Sequence, residues 1–114
     1  MVTDISKAEH YTWGEVCDGW ILCGDDGLSV IQERMPPGGK EVRHLHKEVQ
    51  QFFFVLDGEL TIEVGRDTAV LKARQGMHMT PRRPHLVRNN SAHAVEFLVI
   101  SQPKVRGDRV RVED

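Results

Sequence analysis

The run Phe52-Phe53-Phe54-Val55-Leu56, closed by Asp57-Gly58, constrains the fold of this chain more than any other feature. Aromatic and β-branched residues in an unbroken apolar stretch favour a strand, and a strand apolar at every position is expected to be buried on both faces. Residues 59–64 alternate instead. Leu60, Ile62 and Val64 share one face, with Thr61 and Glu63 on the other, as in a half-buried strand. Similar segments span 28–35, 42–46, 68–71, 76–80, 85–89 and 94–101. The breaks between them include Pro36-Pro37-Gly38-Gly39, a hairpin turn over 65–67, and Asn90-Ser91. Helix is expected only as a turn around Ser6 to Glu9. Many short strands at close spacing predict an all-β, antiparallel sandwich or barrel.

A length of 114 residues suffices for one domain with a real core and not for two. We divide it into an N-terminal arm over 1–27 that packs on the barrel, the barrel over 28–101, and a charged C-terminal tail over 102–114 that lies mobile or on the surface. Fifteen basic and 17 acidic residues leave a net charge of −2, which argues against a nucleic-acid partner. The longest apolar run is far too short to cross a bilayer, which argues against a membrane partner. The N-terminal MVTDISKAEHY lacks a basic region followed by an apolar stretch, so a cytoplasmic location is expected. In that compartment Cys17 and Cys23 stay reduced, and they read as small buried apolar residues.

The chemistry concentrates in four residues. His44 and His46 flank Leu45 on a strand, so both imidazoles face one side. Gln51 opens the next strand, and His85 follows the rigid Pro81-Arg82-Arg83-Pro84 turn. If the sheet closes into a barrel, three imidazoles and one amide oxygen can surround a single ion; the alternatives for Gln51 are a hydrogen bond to a metal-bound water, or an ion held by the three histidines alone. Imidazole suits zinc, copper, iron and nickel, and the oxygen donor widens the choice towards manganese.

The spacing Gly38, His44, His46, Gln51, Gly58 resembles the first motif of the cupins. Pro81, Pro84, His85 and Asn89 resemble the second. The resemblance runs from about Leu28 to Ser101. It implies a jelly-roll barrel of the double-stranded β-helix type, with metal ligands His44, His46, Gln51 and His85 and a cofactor that is one divalent transition metal: zinc, nickel, manganese or iron. It also implies a small-molecule ligand and a homodimer, since a small open-edged barrel can cover an edge strand and apolar surface with a second copy. The superfamily contains isomerases, epimerases, dioxygenases, decarboxylases, lyases and binding proteins, so fold alone does not select an activity.

Three positions depart from the pattern. Gln51 stands where the motif has glutamate, and Arg74 and Arg82 stand near positions usually held by glycine. Four neutral ligands leave the ion its full charge, which favours Lewis-acid chemistry. The expected function is therefore a metal-dependent isomerase, tautomerase or lyase on a small polar carbonyl or sugar-acid substrate. A metal-dependent dioxygenase and a non-catalytic metal or small-molecule binder are the alternatives.

The remaining candidates read more plainly. His78, between Met77 and Met79, is expected to face outward, and His10 and His93 to lie solvated in polar turns. Phe53 shares parity with Gln51 and is expected to wall the pocket. Tyr11, Trp13 and Trp20 are expected to close one end of the barrel. Arg34, Arg82, Arg83 and Arg88 read as solvated cations. Glu33, Glu48, Glu63 and Glu96 qualify as general bases only where one stands beside the metal site.

Overall fold

The computed structural model describes residues 1–14, 16–103 and 107–113. Eleven strands follow one another: β1 (Glu9–Trp13), β2 (Cys17–Gly24), β3 (Ser29–Met35), β4 (His44–His46), β5 (Gln50–Asp57), β6 (Glu59–Val64), β7 (Asp67–Lys72), β8 (Gly76–Met79), β9 (His85–Arg88), β10 (Val95–Gln102) and β11 (Arg109–Arg111). They form a six-stranded sheet in the order β1-β2-β3-β10-β5-β8 and a five-stranded sheet in the order β11-β4-β9-β6-β7. All pairings are antiparallel. This is the expected double-sheet jelly roll. Among the described residues there is no helix, only a turn in which Asp4 O accepts from the amides of Lys7 and Ala8. No helix is long and apolar enough to cross a membrane.

The core follows from strand alternation. Met35, Val55, Leu60, Ile62, Val95 and Phe97 point between the sheets with no exposed surface. Each such side chain stabilises the fold by about 1.5–3 kcal/mol relative to exposure. Asn89, also buried, donates to the carbonyls of Met35 and His93 and accepts from the amide and hydroxyl of Ser91, which fixes the turn into β10.

Three strands were not foreseen. β1 and β2 extend the six-stranded sheet through the expected arm, and His10 therefore lies on a strand rather than in a turn. In the charged tail, Arg109–Arg111 pairs with β4. Asp108 is buried, and its carboxylate accepts from the amides of Glu48 (2.9 Å) and Val49 (3.1 Å). β1 and β11 are edge strands with polar, largely exposed side chains, so their sequences carry no apolar alternation. Cys17 is buried as expected. Cys23 is only half-buried, because the register shift between Ile21 and Cys23 sends it to the outer face opposite Val30.

Arg74 and Arg82 adopt φ of 69° and 70°, the left-handed region that costs an L-residue about 1–2 kcal/mol. Tight backbone contacts hold both in place: Arg74 N donates to Val55 O at 2.7 Å and Arg82 N to His46 O at 2.6 Å. The geometry that glycine usually serves is thus kept without it. Arg74→Gly and Arg82→Gly relieve the steric cost but gain unfolded-state entropy worth about 0.5–1 kcal/mol. Each variant should be more stable than the parent by up to about 1 kcal/mol, read as a higher midpoint in denaturant; a lower midpoint for both would contradict the strain.

Candidate metal centre

β4 and β9 meet at a single register pair, His44 opposite His85, and strand alternation puts His46 on the same inward side as His44. The ring centroids of His44 and His85 are 4.5 Å apart, and those of His44 and His46 5.1 Å. One ligating nitrogen from each of the three rings lies within 4.8 Å of the others, so the trio is positioned to hold a metal ion.

Backbone carbonyls set the tautomers. His44 Nδ1 donates to Val42 O and His85 Nδ1 to Arg83 O, each at 2.8 Å and each to a carbonyl two residues back. A proton on Nδ1 leaves the lone pair on Nε2, aimed inward, the arrangement usual for a metal-binding histidine. Arg109 Nη2 also stands 3.3 Å from His44 Nδ1, but that nitrogen already donates to Val42, so the contact is packing rather than a hydrogen bond. His46 Nδ1 lies 3.6 Å from the buried Asp108 carboxylate.

His85 Nε2 and Gln51 Oε1 are both buried and have no hydrogen-bond partner within the protein. Gln51 Nε2 donates to Ser101 Oγ at 3.1 Å, which turns the amide oxygen away from that hydroxyl. Two desolvated lone pairs without donors are costly by themselves and fit a cation. The donor set therefore suits the metal that the sequence implied.

Burial pushes the His44 imidazole down to about 3, against the opposing pull of the Val42 carbonyl. Burial likewise lowers His46, helped by the charge of His85 and opposed by Asp108, and it lowers His85, opposed by the Arg83 carbonyl. All three rings are thus neutral, as ligands must be.

A cavity of about 230 Å³ adjoins the imidazoles of His44 and His46. Gln51 and Phe53 on β5, Tyr11 and Trp13 on β1, and Glu33 on β3 line it, with Glu41 and Arg109. Tyr11 lies across Gly19, where any Cβ would overlap its ring, so the absence of a side chain there lets the phenol close the wall. Trp20 has the opposite parity and lies outside the barrel, contrary to the expectation that all three N-terminal aromatics would close an end. Of the four glutamates considered, only Glu33 lines the cavity. Glu63 binds Arg43 and Arg88 on the outside of the five-stranded sheet. Glu48 is exposed, and Glu96 lies on the outer face of β10. His78 faces outward, bonded to Gln50, and His93 is exposed.

Two residues in the cavity escaped the sequence reading. Glu41 sits in the polar loop before β4 and accepts from the Val87 amide. Arg109 comes from β11, with Nη2 3.9 Å from Glu41 Oε2. Burial raises Glu33 to about 8, with the charge of Glu41 adding and Arg109 opposing. Burial raises Glu41 to about 7, opposed by Arg109 and the Val87 amide. Burial and Glu33 push Tyr11 up to about 12. No sequence signal marked Glu41 or Arg109, since a glutamate in a loop and an arginine in a charged tail ordinarily read as solvated.

The cupin-domain family model matches residues 31–101, more than half of the chain, and the chain belongs to the cupin family. No curated protein matches the sequence. Among solved structures, a polyketide cyclase from Streptomyces resistomycificus is similar at TM-score 0.84 and 15% identity, over 100% of this chain and 86% of its own. A predicted oxalate decarboxylase from Thermotoga maritima reaches 0.82 at 16% identity, over 91% and 100%. A sugar phosphate isomerase from Silicibacter pomeroyi reaches 0.80 at 19% identity, over 91% and 76%. At these identities the likeness is one of fold.

His44→Ala and His85→Ala should each weaken metal binding by more than the roughly 10–100-fold that loss of a supporting residue costs. The circular dichroism of the barrel should be retained. Full metal occupancy in either variant, measured by elemental analysis, would refute the site. The metal-free protein should be most stable near pH 6.5. Below that value unfolded imidazoles take up protons that the folded ones refuse, so stability falls as pH falls towards 3. Glu33 and Glu41, raised in the fold, contribute stability that is present below 4.5 and lost as pH rises through about 7 and about 8. Thermal melts of metal-free protein across this range should trace such a maximum, and Glu33→Gln should flatten its alkaline side.

Proposed function

We propose that this cupin is a metal-dependent isomerase, tautomerase or lyase that moves a proton on a small carbonyl compound bearing a carboxylate, such as a sugar acid. The observation that carries the reading is the sharing of one cavity by His44 and His46 of the histidine cluster with Gln51, Glu33, Glu41 and Arg109. His44, His46, His85 and Gln51 would hold the divalent ion. Such an ion, when bound, supplies Lewis acidity towards a carbonyl oxygen.

The chain's own residues account for the rest. Arg109, its guanidinium partly in solvent at the cavity, attracts the substrate carboxylate and sets its approach. Glu33, raised to about 8, holds a proton at neutral pH and can give it to carbon or oxygen. Its neighbour Glu41 favours that protonated state, since two carboxylates close together resist ionising together. Tyr11, Trp13 and Phe53 keep water from the reacting atoms. The cavity is smaller than the roughly 300–1,000 Å³ that drug-sized ligands occupy, which suits a substrate of a few carbons. A ligand set with no carboxylate departs from the two-histidine, one-carboxylate pattern of iron oxygenases and weighs against oxygen chemistry.

The test is solvent exchange. Metal-loaded protein is incubated in heavy water with a panel of small keto acids and uronic acids, and carbon-bound deuterium is followed by NMR. A substrate should exchange next to its carbonyl, and Glu33→Gln should slow this by about 10²–10⁴-fold at unchanged metal content. Gln51→Glu should hold the ion at least as tightly while lowering turnover, because the added charge weakens the pull on a carbonyl. Oxygen uptake without exchange, or no exchange with any acid in the panel, would sink this reading.

A further inference from the structure

β11 turns its charges the unusual way for an edge strand. Its register sets Arg109 opposite His46 and Arg111 opposite His44, so both arginines share the face that carries the imidazoles. Val110, opposite Leu45, takes the outer face. A strand with one solvated face normally sends its charges to solvent and its apolar residues inward. Charge on an edge strand also blunts pairing with other chains, but that purpose needs no particular face.

The two arginines border a second cavity. It measures about 280 Å³ and is lined by Val42, His44, Arg109 and Arg111, with no carboxylate among them. His44 and Arg109 also line the metal cavity, so the Arg109 guanidinium stands between the two. Its Nη2 lies 3.3 Å from His44 Nδ1, on the side of the ring away from the ligating Nε2. Neither arginine is closely paired among the described residues. Arg109 Nη2 is 3.9 Å from Glu41 Oε2, and Arg111 Nε is 3.9 Å from Glu113 Oε1, beyond hydrogen-bond length in both cases. Glu113 is 88% exposed, so water screens what attraction is left. Arg43 and Arg88 of the same sheet, by contrast, share Glu63. An adjoining hollow, which Arg111 also borders, brings Lys40 and Arg43 against Glu41 and Glu113, so the surroundings stay basic. The side chains of Arg109 and Arg111 are 53% and 72% exposed, within reach of a ligand.

We propose that this second cavity is an anion subsite, and that the substrate is a carbonyl acid carrying a second anionic group. The assignment rests on the proton-transfer function proposed above, in which Arg109 directs one carboxylate at the metal cavity. Arg111 takes the far group. Two residues apart on a strand, the arginines have Cα atoms roughly 7 Å apart. That span suits the two ends of a short dianion, either a dicarboxylate or a phosphate ester, and the planar guanidinium matches both kinds of oxyanion. A substrate with a single carboxylate would leave Arg111 and its cavity unused.

Binding to metal-free protein, followed by NMR titration of the Val42, Val110 and Val112 amides, tests the subsite apart from catalysis. Glutarate is set against pentanoate, and phosphoglycolate against glycolate. At least one dianion should bind on the order of tenfold more tightly than its monoanionic counterpart, and the tighter dianion names the second group. Arg111→Gln should remove most of that factor and leave the monoanions within about twofold. Arg111→Lys should keep part of it, as charge without the planar fork. Raised salt should shrink the difference. Equal affinity within both pairs overturns the subsite, as does an Arg111→Gln variant that keeps the preference. Solvent exchange separates this proposal from the one it rests on. A dianion preference without exchange of any acid keeps the anion site and sinks the activity, whereas exchange confined to monoanionic acids sinks the subsite alone.

Discussion

A buried polar atom without a partner costs about 1–3 kcal/mol, and one end of this barrel buries a cluster of them. Three imidazoles, two carboxyls and an amide stand where a jelly roll would otherwise pack apolar side chains. The structure meets the constraint group by group. Carbonyls two residues back take the Nδ1 protons of His44 and His85, and the Ser101 hydroxyl takes an amide proton of Gln51. The Val87 amide meets Glu41, and protonation lightens the cost for Glu33. The inward lone pairs of His85 and Gln51 are what the protein leaves unmet. Two buried lone pairs without donors suit a cation.

The same constraint explains why residues from the far end of the chain matter. Asp108 holds the amides of Glu48 and Val49 and stands beside His46, so one buried carboxylate orders the loop between β4 and β5 and steadies a ring. Arg109, the next residue, brings the positive charge nearest the glutamate pair. Without β11 the cavity would have acids and imidazoles but no cation to orient an anionic ligand.

Most of the barrel was legible because alternation and turn residues are local. The strand over 59–64 has the expected limits, and β3, β5, β7, β8, β9 and β10 begin or end within a residue or so of the sequence pattern. The histidines were legible for the same reason, since two residues of separation on a strand fix a shared face whatever the rest of the chain does. β1, β2 and β11 were not legible. Two of them border the sheets, where polar side chains are tolerated, and β2 is broken by a register shift that disrupts its alternation. Glu41 and Arg109 were hidden because their burial and partners exist only once distant segments meet. Arg74 and Arg82 show the limit from the other side: the sequence marked an irregularity, and only the backbone showed that the geometry persists under strain.

The strand order has a kinetic consequence. β10 lies between β3 and β5 and pairs with both, yet it comes some 60 residues after the first and 40 after the second. Until residues 95–102 have been synthesised, those two strands have open edges and no shared neighbour. A nascent chain therefore carries Phe52-Phe53-Phe54 through much of its synthesis with the β10-facing edge of β5 free to pair with another chain, even once β8 has taken the other edge. Pairings of such long range also form slowly, because the intervening loops must close before any contact rewards them. The late, central strand thus acts as the latch of the fold, and the interval before it closes is when this protein is most exposed to aggregation.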